Sequence, residues 1–293
     1  MTLKMDVVGV LGAGQMGRGI AISCLLAGYK TFLYDTQGEV LKSSLQKIEI
    51  SLNRLCEKNL ISKEQITEVL VHLVLCSDLP PLKEANILIE AVPEDYAIKE
   101  RLFKELSDLL TPSVILASNT SSLSITQLAK FTPYPEKFIG LHFMNPAELM
   151  PLVEIIPGGQ THQSTLETTK LFSESLGKTA VISKDTPGFI VNRLLIPMIN
   201  EAIDALHLGI ATAVDIDKAM KLGANFPQGP LALADMIGLD TCLAILKIME
   251  KECGDPKYTP SPLLAQYVNE GKLGRKTKEG FYKYSLKPQS LNC

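Results

Sequence analysis

The sequence predicts an α/β domain built on a doubly wound sheet with an inserted helical hairpin, followed by an all-α C-terminal domain. Short β-branched segments alternate with longer amphipathic ones up to about residue 184. A long helical pattern interrupts this alternation after the second strand, and every segment after "SKDTPGF" has helical character. We therefore divide the chain into domains 1–184 and 185–293.

The strands of the first domain are predicted from short apolar segments bounded by turn residues. In chain order these segments are "DVVGVLG", "KTFLYD", "ILIEAV", "SVILASN", "KFIGLHF" and "PLVEII". Between the second and the third, leucine and isoleucine recur at helical spacing, which predicts the inserted hairpin with its polar face outward. The residues that show this spacing are Leu41, Leu45, Ile48, Leu52 and Leu55.

The second domain is predicted to contain helices only, separated by glycines that stop them: Gly209, Gly223 and Gly254. Several of these helices, such as "LLIPMINEAI", are apolar on more than one side. One small helical domain cannot bury so much apolar surface alone. We therefore expect it to pack on the first domain and to form a homodimer with a second copy.

Composition excludes several classes of protein. The chain has 293 residues, a formal net charge of −3 and scattered basic residues, which disfavours nucleic acid and membrane surfaces as main partners. The six cysteines form no CxxC pair and no cluster at zinc spacing, so we expect no metal site and a reducing compartment. The N-terminal segment resembles neither a signal peptide nor a membrane span, so a cytoplasmic location is expected.

A glycine motif at the start of the chain predicts a dinucleotide site. Gly12, Gly14 and Gly17 form GxGxxG directly after a strand and directly before a helix, with Gln15 and Met16 inside the turn. Such glycines permit a tight turn, close approach of the backbone to a pyrophosphate, and close packing of helix on strand. The first domain is therefore predicted to be of the Rossmann type, with these residues binding the cofactor.

Asp35 ends the second predicted strand, where a carboxylate can accept both hydroxyls of the adenosine ribose. No arginine or lysine lies among the three residues that follow. NAD is therefore predicted over NADP, although a strand-end aspartate is also a common turn former.

His142 follows the strand "KFIGL", and two prolines separate it from Glu154. Histidine suits proton transfer because its ordinary pKa is about 6.5, and a glutamate on a neighbouring strand could hold one tautomer. From the residues alone, a buried structural histidine is an equal alternative. Sequence alone also leaves open which of Ser118, Ser121 and Ser122 acts in the loop that they share.

Taken together, the motifs resemble the short-chain L-3-hydroxyacyl-CoA dehydrogenases, especially the bacterial 3-hydroxybutyryl-CoA dehydrogenases. The resemblance covers nearly the whole chain. Its motifs are "GAGQMGRGIA", "EAVPED", "ASNTSSL", "GLHFMNP", "LVEII", "KDTPGFIVNRLL", "DIDKAMKLGANFPQGPLALAD", "IGLD" and "GRKTKEGFYKY".

The resemblance implies an NAD-dependent oxidoreductase that interconverts (S)-3-hydroxyacyl-CoA and 3-oxoacyl-CoA, with short chains preferred. It implies that His142 is the catalytic base, that Glu154 pairs with it, and that Ser121 and Asn192 lie near the substrate oxygen. It also implies cofactor contacts at Glu94, Lys99, Ser121, Asn145 and Lys276, and contacts to coenzyme A at Ser51 and Lys58.

The chain departs from the common family pattern "HFFNPVPVMKLVE" at Met144, Ala147, Glu148 and Pro151, which leaves the acyl-chain preference open. Two alternatives share the cofactor domain. One is a sugar-acid dehydrogenase of the L-gulonate type, which would not need basic residues on the hairpin. The other is a crystallin-like protein that binds NADH without turnover.

Overall fold

The computed structural model describes residues 5–284. The chain separates into two compact units, of which the first ends at Phe189 and the second begins at Ile190. The domain boundary predicted from the sequence, after residue 184, lies between the last strand of the first unit and this division.

The first unit contains a mixed sheet that, within residues 5–284, has eight strands in the order β3-β2-β1-β4-β5-β6-β7-β8. All neighbouring strands are parallel except β6 and β7, which are antiparallel. The predicted doubly wound α/β fold is confirmed. The strands are β1 Val7–Leu11, β2 Lys30–Tyr34, β3 Leu73–Cys76, β4 Ile87–Glu90, β5 Ile115–Ser118, β6 Phe138–Phe143, β7 Leu152–Pro157 and β8 Thr179–Ile182.

Two of these strands, β3 and β8, were not predicted from the sequence. Each has four residues and lies at one end of the strand order. β3 is mostly half-buried and β8 mostly exposed, although their sequences, LVLC and TAVI, are as apolar as those of the strands that were predicted. Both become strands because β2 and β7 offer them hydrogen-bonding edges.

Helices cover both faces of the sheet. Residues that alternate along β1 belong to two separate cores, Val8 and Val10 in one and Leu11 in the other, as expected for strands buried on both faces. The helices of the first unit are α1 Gln15–Leu26, α2 Gly38–Glu57, α3 Lys63–Leu70, α4 Tyr96–Leu106, α5 Ile125–Leu128 and α6 Gln163–Ser175.

The predicted inserted hairpin is confirmed as α2 and α3. Four of its five patterned residues are buried, and Leu45 is half-buried. A capping box begins α3, because the Ser62 hydroxyl accepts from the Gln65 backbone N–H while the Gln65 side chain accepts from the Ser62 N–H.

The described part of the second unit is helical, as predicted, around a core that includes Ile199, Ile203, Leu246 and Met249. Its helices are α7 Val191–His207, α8 Ala213–Gly223, α9 Pro230–Ile237, α10 Leu239–Cys253 and α11 Pro262–Asn269. Short 3₁₀ turns complete the two units, at Pro80–Glu84, Ala129–Phe131, Pro135–Lys137, Pro256–Tyr258 and Arg275–Thr277.

Across residues 5–284, no helix is both long enough and apolar enough to cross a bilayer, and no cluster of three or more potential metal ligands forms. The cysteines in this range are free, and Cys293 lies outside it. The predicted cytoplasmic location stays a prediction.

Candidate active site

The glycine turn between β1 and α1 is shaped for an anion. Gly12 has a φ of 101°, and a Cβ there would lie 2.7 Å from the carbonyl oxygen of Ala91. A Cβ on Gly17 would overlap the carbonyl oxygen of Gly12, whereas one on Gly14 would meet nothing within 4 Å. Gly14 is the N-cap of α1 and has no side chain to cap the helix. The helix N-terminus therefore faces open space, which fits a dinucleotide pyrophosphate.

Asp35 follows β2 beside this turn. One carboxylate oxygen accepts a hydrogen bond from the Ala13 N–H at 2.9 Å, and the other accepts from the Gln37 N–H at 3.0 Å. These bonds hold a half-exposed carboxylate next to the open turn, in the position where a ribose diol is bound in such folds. The residues of this turn therefore fit NAD.

His142 and Glu154 are directly opposite each other on the antiparallel strands β6 and β7. The His142 Nδ1 lies 2.7 Å from a Glu154 carboxylate oxygen, and both residues are buried, with exposures of 6% and 0%. With an ionised Glu154, Nδ1 carries a proton, which leaves Nε2 as the nitrogen that can exchange one. The ring of Phe189 packs edge-on against the imidazole, with centroids 5.6 Å apart.

Ser121 and Glu94, which the resemblance implied, lie together at the ends of β5 and β4. One oxygen of Glu94 accepts hydrogen bonds from the Ser121 N–H at 2.8 Å and from its hydroxyl at 3.2 Å. The same oxygen accepts from the hydroxyl of Thr120 and from both groups of Ser122. Ser118 and Ser122 are buried, whereas Ser121 is half-buried, so Ser121 is the most accessible of the three candidate serines.

A buried ion pair supports this loop. The ammonium of Lys99 lies 2.6 Å from a carboxylate oxygen of Glu90 and 3.4 Å from one of Glu94. Glu90 and Lys99 are 0% and 1% exposed, and the Ser118 hydroxyl donates to the second oxygen of Glu90. Lys99 thus lies between two carboxylates and attracts both, and its implied contact with the cofactor stays a prediction.

Electrostatics differ between the two carboxylates. Burial raises the pKa of Glu90 above its usual range despite the ion pair with Lys99. Burial also acts to raise the pKa of Glu94, but Lys99 and the hydrogen bonds from the serine loop outweigh it and hold that pKa below its usual range. The environment of Glu94 therefore favours its ionised form beside Ser121.

Sequence reasoning missed Glu90. Its signal was a single acidic residue that closes an otherwise apolar strand, at the edge of the sheet where ligands of doubly wound folds bind.

The loop of residues 144–151 joins β6 to β7 and borders a cavity of about 380 Å³. Asn145 and Gln15, both predicted to contact cofactor, are joined by a hydrogen bond of 2.9 Å. The remaining residues around the cavity come mainly from α1 and α2; they include Arg18, Lys47, Ser51, Arg54, Pro146 and Glu148.

The two residues predicted to contact coenzyme A have different positions. Ser51 lines the cavity, whereas Lys58 is the exposed C-cap of α2, one turn beyond Arg54. Sequence reasoning did not select Arg18 and Lys47, because only the packing of α1 against α2 brings their charges to one place.

Asn192 and Lys276 belong to the second unit. Asn192 lies in the first turn of α7, and the ammonium of Lys276 pairs with the carboxylate of Asp240 on α10. Their implied roles stay predictions.

A site in which a glycine turn accepts a dinucleotide and the same sheet carries a histidine–carboxylate pair is typical of a dinucleotide-dependent alcohol dehydrogenase. Comparison with known families defines the class further. Residues 7–186 match the NAD-binding domain of 3-hydroxyacyl-CoA dehydrogenase, and residues 188–284 match its C-terminal domain. The chain belongs to the 3-hydroxyacyl-CoA dehydrogenase family.

Individual relatives agree with this assignment. A 3-hydroxybutyryl-CoA dehydrogenase of Bradyrhizobium diazoefficiens is 49% identical over 97% of this chain and 97% of its own length. One from Clostridioides difficile is 46% identical over 94% and 98%. The crystal structure of (S)-3-hydroxybutyryl-CoA dehydrogenase from Ralstonia eutropha superposes with a TM-score of 0.92 at 43% identity, covering 96% and 100%. The predicted family, the NAD cofactor and the enzyme class are confirmed.

Replacing Asp35 tests the cofactor site. We expect Asp35→Ala to raise the Kd for NADH at least tenfold, about 1.4 kcal/mol, and to leave the Kd for NADPH nearly unchanged, because the carboxylate favours only the unphosphorylated ribose. Asp35→Asn can still accept from the Ala13 N–H, and it should reduce the preference for NADH over NADPH in the same way. Binding is measured by NADH fluorescence, with Asp108→Ala on the exposed surface as control. Equal losses for both cofactors would contradict the role of Asp35.

Proposed function

We propose that the protein interconverts (S)-3-hydroxyacyl-CoA and 3-oxoacyl-CoA with NAD, and that short chains such as 3-hydroxybutyryl-CoA and acetoacetyl-CoA are its substrates. The observation that carries the proposal is the buried His142–Glu154 pair at the carboxyl edge of a dinucleotide-binding sheet. The names of the relatives support the short acyl chain. Reduction of acetoacetyl-CoA by NADH, compared with oxidation of L-gulonate by NAD, tests it directly.

In the proposed reaction, His142 Nε2 removes the proton from the 3-hydroxyl group while the carbonyl double bond forms. Bound NAD supplies the acceptor for the hydride that leaves carbon 3. Glu154 holds the imidazole in the tautomer that can accept this proton and then stabilises the imidazolium, as the acid of a catalytic triad does. In the reverse direction the imidazolium returns the proton to the carbonyl oxygen.

Ser121 is proposed to donate a hydrogen bond to the same substrate oxygen. Its hydroxyl now donates to Glu94, and its backbone N–H is held by the same carboxylate oxygen. The backbone bond can keep the loop in place when the hydroxyl turns to substrate. A donor oriented in advance stabilises negative charge that develops on oxygen in the reductive direction.

The cavity bordered by α1, α2 and the 144–151 loop is proposed to bind coenzyme A. Arg18, Lys47 and Arg54 bring three positive charges to its lining, against one carboxylate, Glu148. Phosphate groups are bound by such clusters, and arginine can bind them through two hydrogen bonds. Lys58 extends the positive charge beyond Arg54 along α2.

The second unit is proposed to form the interface of a homodimer. Several of its large apolar side chains are strongly exposed, which a monomer rarely maintains as a group. Among them are Leu194, Leu208, Ile210, Val214 and Leu222, each more than half exposed.

The catalytic pair is tested by His142→Gln and Glu154→Gln. We expect each to lower kcat by about 10²- to 10⁴-fold, since general-base catalysis contributes that much, while the Kd for NADH changes little. His162→Gln on the exposed start of α6 is the matched histidine control. Near-normal turnover in both variants, accompanied only by a lower Tm, would make the pair structural.

The coenzyme A cavity is tested by Arg54→Ala and Lys58→Ala. Both should raise the KM for acetoacetyl-CoA, by about tenfold for Arg54 and less for Lys58, with smaller changes in kcat. The increase should shrink at high salt, because exposed charge pairs are screened. Acetoacetyl-pantetheine lacks the nucleotide phosphates, so the unaltered protein and both variants should reduce it equally well.

Lys42→Ala provides the control for these variants, because Lys42 lies on α2 but pairs with Glu39 and does not line the cavity. Unchanged KM values would remove both residues from the site. An equal loss with the truncated substrate would show that the helix had moved instead.

The homodimer is tested by sedimentation of the purified protein. We expect a mass of twice the 32.0 kDa chain, and a shift to the single-chain mass in a Leu208→Asp, Ile210→Asp double variant, because two buried charges would be unpaired in the interface. Leu60→Asp, at an exposed apolar position of the first unit, should leave the mass unchanged. A monomeric unaltered protein would refute the proposal.

A further inference from the structure

The side chain of Lys178 reaches the loop that joins the two strands of the His142–Glu154 pair. Lys178 is 8% exposed, and its ammonium donates hydrogen bonds to the carbonyl oxygens of Ala147 at 2.7 Å and Met150 at 2.9 Å. Hydrogen bonds from a charged donor are stronger than neutral ones, and burial strengthens them further. A buried cation thus holds two points of the 144–151 loop.

The backbone fixes where this lysine lies. Helix α6 ends at Ser175, and Gly177 reverses the chain with a φ of 70°. The Lys178 N–H donates back to the Ser173 carbonyl, and the Thr179 N–H donates to the carbonyl of Pro151, the last residue of the loop. These backbone hydrogen bonds fix the chain on both sides of Lys178. The point from which its side chain reaches the loop is therefore fixed as well.

The loop is held from a second side by helix α1. The Ser23 hydroxyl lies 3.2 Å from the carbonyl oxygen of Ala147 and 3.1 Å from that of Gly19 on its own helix, so its single proton is shared between these two acceptors and supplements the bond from Lys178. Burial lowers the pKa of the Lys178 ammonium, and the nearby carboxylate of Glu148 partly offsets this effect. Glu148 is therefore both a residue of the loop and a counter-charge for the lysine.

The held loop forms one side of the cavity proposed for coenzyme A. Asn145, Pro146 and Glu148 line that cavity, opposite residues of α1 and α2. Lys178 binds the carbonyl oxygens of Ala147, which lies between Pro146 and Glu148 in the chain, and of Met150, which lies two residues after Glu148. The shape of this side of the cavity therefore depends on the lysine.

We propose that Lys178 is a positioning residue for the acyl-CoA substrate, which acts by fixing the 144–151 loop as a wall of the coenzyme A cavity. The assignment rests on the proposed function. Lys178 acts through the loop backbone and is not a catalytic residue.

The positions of the other functional groups indicate which kinetic constant depends on Lys178. His142 and Glu154 are held by strand pairing, β6 with β5 and β7 with β8, and the glycine turn is held by Asp35 and packs against Ala91. These contacts do not involve the loop, and of the residues predicted to contact the cofactor only Asn145 lies in it, where it accepts a hydrogen bond from Gln15. Loss of the ammonium should therefore weaken substrate binding more than it slows the chemical step or weakens NADH binding.

The test is Lys178→Met, which keeps an apolar stem of similar length and removes the charge. We expect the KM for acetoacetyl-CoA to rise at least tenfold, with kcat and the Kd for NADH within threefold of the unaltered protein. The KM for acetoacetyl-pantetheine should stay within twofold. Lys170→Met, at an exposed position on α6, is the matched control and should change none of these values.

Ser23→Ala is a milder second variant that removes the other donor to Ala147, and it should raise the same KM about two- to threefold. It decides the assignment if Lys178→Met does not fold. An unchanged KM with only a lower Tm would make the lysine structural and overturn the assignment, as would equal losses with the truncated substrate. If the unaltered protein did not reduce acetoacetyl-CoA, both the proposed function and the assignment would be overturned. If it did, and the variants had the same KM, only the assignment would be overturned.

Discussion

The short hydrogen bond between His142 and Glu154 is the interaction on which the site depends, and it exists because β6 and β7 are antiparallel. In the described chain every other neighbouring pair of strands is parallel. A parallel neighbour would need a long crossover between the two residues, whereas the antiparallel turn places them face to face across one ladder. Both side chains are withdrawn from water, so the carboxylate acts on the imidazole with little screening.

Other groups of the candidate site lie at the same edge of the sheet. The glycine turn follows β1, Asp35 follows β2, Glu90 ends β4, Ser118 ends β5, and all four of these strands run in the same direction. Parallel strands deliver their carboxyl ends to one edge, which is where ligands bind in doubly wound folds. The paired register of Glu90 with Ser118 then permits their buried hydrogen bond.

In the first unit, the buried lysines lie around this edge, and each has partners. Lys99 lies between Glu90 and Glu94, and Lys178 binds two carbonyl oxygens of the 144–151 loop near Glu148. Desolvation makes such arrangements costly, so they add little to stability compared with apolar packing. Their effect here is to favour one arrangement of the loops. Any arrangement that separated the partners would leave a buried charge uncompensated. Both clusters hold loops that carry proposed substrate-facing groups.

Much of the fold and part of the site could be predicted from local patterns. The glycine turn, the central strands and the hairpin of α2 and α3 are each encoded within a short segment, because strand and helix periodicities are properties of neighbouring residues. His142 could be selected by its residue type and its strand, and the resemblance to a known family implied its pairing with Glu154. The choice of Ser121 likewise needed the family, since three serines share its loop.

By itself, then, the sequence determined the α/β class, the dinucleotide turn, the acidic residue after β2 and the candidate histidine. The tertiary structure decided the edge strands β3 and β8, the register that sets His142 against Glu154, the buried Glu90–Lys99 pair and the contact of Lys178 with a loop 31 positions away from it. The physical reason is that the edge strands, the register and the Lys178 contact depend on which distant segments pair or pack together, whereas the Glu90–Lys99 pair, nine positions apart, depends on how α4 packs in the core. Such pairing is settled by the burial of the whole core and by long-range hydrogen bonds, which no local period or spacing records.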